Sequence, residues 1–125
     1  MQDEPTSTEL IKAVADFLRH DILPESSGHN AFKLRVSINA LDLVARQLAL
    51  QADGEAAEAA RLAHLLAIQG PLTELNRALA ERIAKGEVDL QTPGLAAHLW
   101  QTTLDKLAVD QPNYASYRRE LEGKE

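Results

Sequence analysis

At 125 residues and 45% hydrophobic content, the chain has enough apolar material for one compact domain without disulfide or metal staples. It has no cysteine, which excludes disulfides, thiolate metal sites and a cysteine nucleophile, and fits a reducing compartment. A formal charge of −6, with basic residues scattered and only Arg118 and Arg119 adjacent, opposes binding to nucleic acid or anionic lipid. The opening MQDEPTSTEL lacks a basic-then-apolar leader, and no apolar run approaches the roughly 18 residues of a membrane-spanning helix, so a cytoplasmic, non-membrane protein is expected.

The hydrophobic period is helical nearly throughout, and no alternating β-branched run is long enough for a strand. The fold expected is therefore all-α: a single-domain antiparallel bundle of about five helices, spanning 1–125, with a short C-terminal tail or helix. Thr6-Ser7-Thr8-Glu9 reads as a capping box opening a first helix over about 7–21, with Leu10, Val14, Phe17 and Leu18 as its buried stripe. Pro24 should push Leu23 out of helical geometry, and Gly28 permits a turn before a second helix over about 30–51.

Asp53-Gly54-Glu55 reads as a cap and acidic first turn for a third helix over about 54–69, whose alanines allow close approach of a neighbour or form a dimer seam. Gly70-Pro71 ends it and starts a fourth helix over about 71–85, with Leu72, Leu75, Leu79 and Ile83 inward and Lys85-Gly86 as a glycine stop. Thr92-Pro93 repeats the cap-then-proline signal for a fifth helix over about 93–109, carrying Leu95, Leu99, Leu104 and Leu107. A short helix over 113–121 follows Pro112. Trp100 is expected against the core or the C-terminal tail, with an interface anchor as the alternative.

Catalytic signatures are missing: there is no phosphate-cradling glycine loop, no GxSxG, no HExxH and no ExxH pair. The four histidines, His20, His29, His64 and His98, do not share a helix face, so no metal or other cofactor is expected. His64 and His98 read as residues at the edge of an apolar face.

The distinctive stretch is Gly28 to Leu50, GHNAFKLRVSINALDLVARQLAL, where Arg35, Asn39, Asp42 and Arg46 fall within roughly a 60° sector at about 100° per residue. Leu34, Ile38, Leu41, Ala45 and Leu48 flank this row on one side, and Phe32, Val36, Leu43 and Leu50 on the other. Such a row is half buried or covered by a partner. Its structural reading is a helix-tying network in which Asp42 pairs with Arg46. Its functional reading is a ligand or partner surface, with Arg35 and Arg46 as anion forks, Asn39 orienting the ligand, Asp42 holding Arg46, and His29 at the N-terminal end.

The opening MQDEPTSTELIKAVADFL, the helix GHNAFKLRVSINALDLVARQL, the turn IAKGEVDL and the closing KLAVDQPNY together resemble a bacterial family of small helical domains of unknown function. The likeness is carried by His29, Phe32, Arg35, Val36, Asn39, Leu41 and Arg46, then Gly86, Asp89, Leu107, Pro112 and Tyr114. Members lie beside or are fused to aminoglycoside-phosphotransferase-like kinases and acyl-CoA dehydrogenases. The resemblance thus implies a partner of those classes and no transferable mechanism. Three functions are carried forward: a non-catalytic accessory domain for such an enzyme, with a homodimer possible; a module for an anionic metabolite or acyl thioester; and a small enzyme using His29 or Asp42 as base.

Overall fold

The computed structural model describes residues 3–123, which contain helices and turns and no strand. The all-α expectation holds. The five α-helices are α1 (Ser7–Phe17), α2 (Gly28–Leu66), α3 (Leu72–Ala84), α4 (Leu95–Asp110) and α5 (Ala115–Glu122). They divide into two compact units, one ending at Gln51 and one beginning at Ala52, so that the division falls within α2.

In the first unit, the capping box forms: the Glu9 amide donates to Thr6 Oγ1 at 3.2 Å, and the Thr6 amide to Glu9 Oε2 at 2.7 Å. After Phe17 the helix widens into a π turn, Leu18–Ile22, then tightens into a 3₁₀ turn, Leu23–Glu25. Leu23 keeps helical angles (φ −58°, ψ −42°) despite the following proline, contrary to the sequence expectation, because the 3₁₀ turn takes Pro24 within its first two residues. Gly28 supplies the left-handed turn, φ +59°, at the start of α2.

The buried residues of this unit are Ala15 on α1 and Ala31, Ile38 and Ala45, seven residues apart on one line of α2. The predicted stripe of α1 is a correction: Leu10, Val14 and Phe17 are 53%, 50% and 53% exposed, while Leu18 and Ile11 are half buried beside Ala15. The apolar arc of α1 is wider than one neighbouring helix can cover, and a seam of small residues took the inner position.

A second correction concerns residues 51–55. Helices expected over 30–51 and 54–69 are one helix of 39 residues. A cap at Asp53 would need extended backbone there, and Ala49, Ala52, Ala56 and Ala57 on either side favour propagation over interruption. Its end also comes earlier than expected, at Leu66. Ala67 is left-handed, φ 55°, and Arg82 Nη1 donates to the Leu66 carbonyl at 3.0 Å, satisfying a helix-terminal acceptor with a cation.

In the second unit the core joins Leu62, Leu66, Leu75, Leu79, Val88 and Leu95, with Ala59, Leu65, Leu72 and Ala78 packed on it. Ile83 and Leu99, expected inward, are exposed. Lys85-Gly86 stops α3 as predicted. Gly86 has φ +74°, its amide donates to Ile83 O at 3.0 Å, and the Glu87 amide donates to Arg82 O at 2.9 Å, a Schellman pair. Val88 follows directly into the core.

Thr92-Pro93 does not cap a helix from 93. Thr92 Oγ1 accepts from the Asp89 amide at 3.0 Å, Asp89 Oδ1 accepts from the Gln91 amide at 2.8 Å, and α4 starts after Gly94 at φ +92°. The side chain that would cap the helix instead closes the preceding turn. Pro71 likewise precedes α3 as its extended N-cap residue rather than occupying its first turn.

Candidate functional site

Helix α2 presents the polar row on the rim of the first unit, with unlike flanks. The inner flank holds the buried Ile38 and Ala45 and the half-buried Leu34 and Leu41, but Leu48, placed on the same flank by its spacing, is 48% exposed. The outer flank is open: Phe32 is 60% and Val36 52% exposed, Leu50 is exposed and Leu43 half buried. Within the row His29, Arg35 and Asn39 are exposed, whereas Asp42 and Arg46 are half buried.

Asp42 is met from outside the row. Arg19, on the π turn after α1, donates from Nη2 to Asp42 Oδ2 at 2.5 Å and from Nη1 to Asp16 Oδ1 at 2.9 Å. Residues 23 positions apart are thereby joined, which no spacing within α2 reveals. The row thus divides by role: Asp42 ties α2 to the preceding helical segment, while Arg35 and Asn39 extend to solvent between a packed flank and an open apolar one.

A second polar cluster lies in the other unit. His98 is 3% exposed, and Arg61 Nε donates to its Nδ1 at 3.4 Å. The same guanidinium reaches Thr102 Oγ1 at 3.4 Å and Asp105 Oδ2 at 3.6 Å. His98, Thr102 and Asp105 recur at intervals of four and three, so one face of α4 wraps one arginine of α2. That spacing was the legible signal for this cluster. Its partner Arg61 was not legible, because 37 residues separate it from His98.

Burial and the Arg61 cation hold the His98 pKa below the ordinary 6.5, with Glu58 opposing. An acceptor Nδ1 facing a permanent cation fixes the neutral, Nε2-protonated ring. Below about pH 6.5 the unfolded chain takes up a proton that folded His98 resists. Stability from this group is therefore complete above that pH and falls as the pH drops. Urea unfolding of the wild type should show a lower midpoint at pH 5.5 than at pH 7.5, and His98→Asn should shrink that difference. An unchanged difference in the variant would place the pH dependence elsewhere.

Also in the second unit, a groove of about 660 Å³ runs over Ala59, Ala60, Ala63, His64, Ala67, Gln69, Gly70 and Leu75. Its lining contains no arginine or lysine and none of the α2 row. His64 stands exposed at this groove, whereas His98, expected at an edge, is interior. Among the described residues no group of three or more His, Asp or Glu side chains is placed to hold a metal ion, and no helix is long and apolar enough to cross a membrane. Residues 24–114, which include the whole row and the Arg61–His98 cluster, match one family, described as a domain of unknown function, DUF6285. No curated protein and no solved structure matches the chain.

Proposed function

The chain belongs to DUF6285, and from that premise we propose that it is a non-catalytic accessory domain that docks on an enzyme through the outer flank of the α2 row. The observation that carries this reading is the exposure of Phe32 and Val36, each more than half open, next to the exposed Arg35 and Asn39. Aromatic and arginine side chains set together on one rigid helix are the composition of an interface centre. The partner classes come from the family resemblance: a phosphotransferase-like or an acyl-CoA dehydrogenase-like enzyme. Asp42, tied to Arg19, keeps the α2 surface fixed against the preceding helical segment, so docking requires little ordering.

Native mass spectrometry of the chain co-expressed with enzymes of those two classes tests the reading. A stoichiometric complex is expected, and Phe32→Ala with Arg35→Ala should weaken it by about tenfold or more. Both substitutions are at exposed positions, so the helical circular dichroism should stay intact. No complex with either class, or one indifferent to both substitutions, would overturn the proposal.

A further inference from the structure

The docking flank differs in charge from the rest of the chain. Over residues 28–51, α2 carries Lys33, Arg35 and Arg46 against one carboxylate, Asp42, although the whole chain has a net charge of −6. Asp42 is already ion-paired to Arg19. Among the described residues, neither Lys33 nor Arg35 has an ion-pair partner, and both are exposed. No acidic residue stands in the first turn of α2, so the positive end of the helix dipole adds to their field. At about 100° per residue, Phe32, Val36 and Leu43 form the centre of the outward arc. Arg35 lies about 80° to one side of that centre and Lys33 about 80° to the other, with Asn39 and His29 between. Only Ser26 and Ser27 link the 3₁₀ turn to α2, so α1 and α2 form a helical hairpin; the buried line of α2, Ala31, Ile38 and Ala45, points away from the arc. Asp21 and Glu25 precede α2, and Asp53, the next carboxylate along it after Asp42, is ten residues beyond Leu43, about 15 Å away. None of the three is on the arc.

We infer that the occupant of this arc is an acidic segment of the partner protein, with carboxylates on Lys33 and Arg35 and an apolar side chain between them on Phe32 and Val36. The inference rests on the reading of this flank as a docking surface and adds what the partner must present. Charge complementarity selects it. An arginine fork takes a carboxylate through two parallel hydrogen bonds, and neither cation has a carboxylate of its own chain to give up first. The remainder of the chain selects a short segment over an extended polyanion. Of the 19 acidic residues 18 lie outside residues 28–51, against 10 of the 13 basic ones. A nucleic acid or an anionic membrane laid on the arc would run onto like charge, whereas a segment no longer than the arc, about 20 Å, stays on the cationic stretch.

The test is titration of the full chain, labelled with nitrogen-15, with two synthetic peptides: three repeats of Glu-Leu-Asp-Ala and the neutral isostere, three repeats of Gln-Leu-Asn-Ala. The acidic peptide should shift the amides of residues 29–43 and bind about tenfold or more tightly than the isostere, with an affinity that falls as salt is raised. Lys33→Glu with Arg35→Glu should abolish these shifts while circular dichroism keeps its helical amplitude. If that pair does not fold, Lys33→Gln with Arg35→Gln carries the same comparison and should weaken binding by about fivefold or more. Equal affinity for the two peptides, shifts centred elsewhere on the chain, or no shift at about 1 mM peptide overturns the inference. So does tighter binding of a short DNA duplex or of phosphatidylglycerol vesicles at the same amides. An enzyme complex that survives Lys33→Glu with Arg35→Glu leaves docking in place and removes the acidic partner. Peptide shifts without any enzyme complex remove the two enzyme classes and support the acidic partner.

Discussion

Leu62→Ala is expected to cost about 3–5 kcal/mol of folding stability, since the leucine is fully buried and its removal leaves a cavity among neighbours that cannot all close in. Leu66, Leu75, Leu79, Val88 and Leu95 share that cluster, drawn from α2, α3, the turn after α3 and the start of α4. The loss is a large part of the 5–15 kcal/mol typical of a folded domain, so the urea midpoint should fall by about 2 M or folding should fail outright. Leu99→Ala is the control. That leucine is 40% exposed on α4 and should cost about 1 kcal/mol or less. Equal losses at the two positions would mean that the cluster at Leu62 is not the core of its unit.

Gly54→Pro should be comparably damaging, at about 3 kcal/mol or more, because it removes an amide from the interior of a continuous helix and drives a ring into the preceding turn. The alternative geometry predicts the opposite. Were Asp53 a cap and Gly54 the first residue of a new helix, proline at 54 would be accommodated. Gly54→Ala provides the complement: a Cβ there meets nothing within 4 Å, and the substitution should gain about 0.5–1 kcal/mol. Thermal unfolding followed by far-UV circular dichroism reads both changes. Tolerance of the proline would restore two helices.

These residues show what one chain of letters discloses. The Thr6–Glu9 box and the Lys85-Gly86 stop are contained within a few consecutive residues, and both stand as read. Asp53-Gly54-Glu55 has the same local grammar as a true start. It is overruled by alanines on both sides and by leucines further along α2 that enter the second unit's core. Face assignment fails for a related reason. Leu10, Val14 and Phe17 show the right period for burial, but period identifies an apolar stripe and not what covers it.

The candidate site divides in the same manner. The row Arg35, Asn39, Asp42 and Arg46 is read from intervals on one helix, whereas Arg19 reaches Asp42 only through the hairpin. Likewise the His98–Thr102–Asp105 line is visible in α4, but its arginine stands on another helix. Long-range polar pairs of this kind depend on tertiary register, which hydrophobic period leaves open.

Trp100 settles on the tail side of the expectation: it is 52% exposed on α4, and its Nε1 donates to Glu120 Oε1 of α5 at 3.3 Å. It is also the one tryptophan in the sequence. The chain therefore carries a single tryptophan fluorophore, excitable apart from Tyr114 and Tyr117 at the long-wavelength edge of its absorption and positioned at the α4–α5 joint, not in the leucine cluster. Its emission reports the seating of the last helix, while circular dichroism reports the whole helical content. Recorded together along one denaturation curve, the two signals separate peeling of the C-terminal helix from collapse of the core, with no label attached.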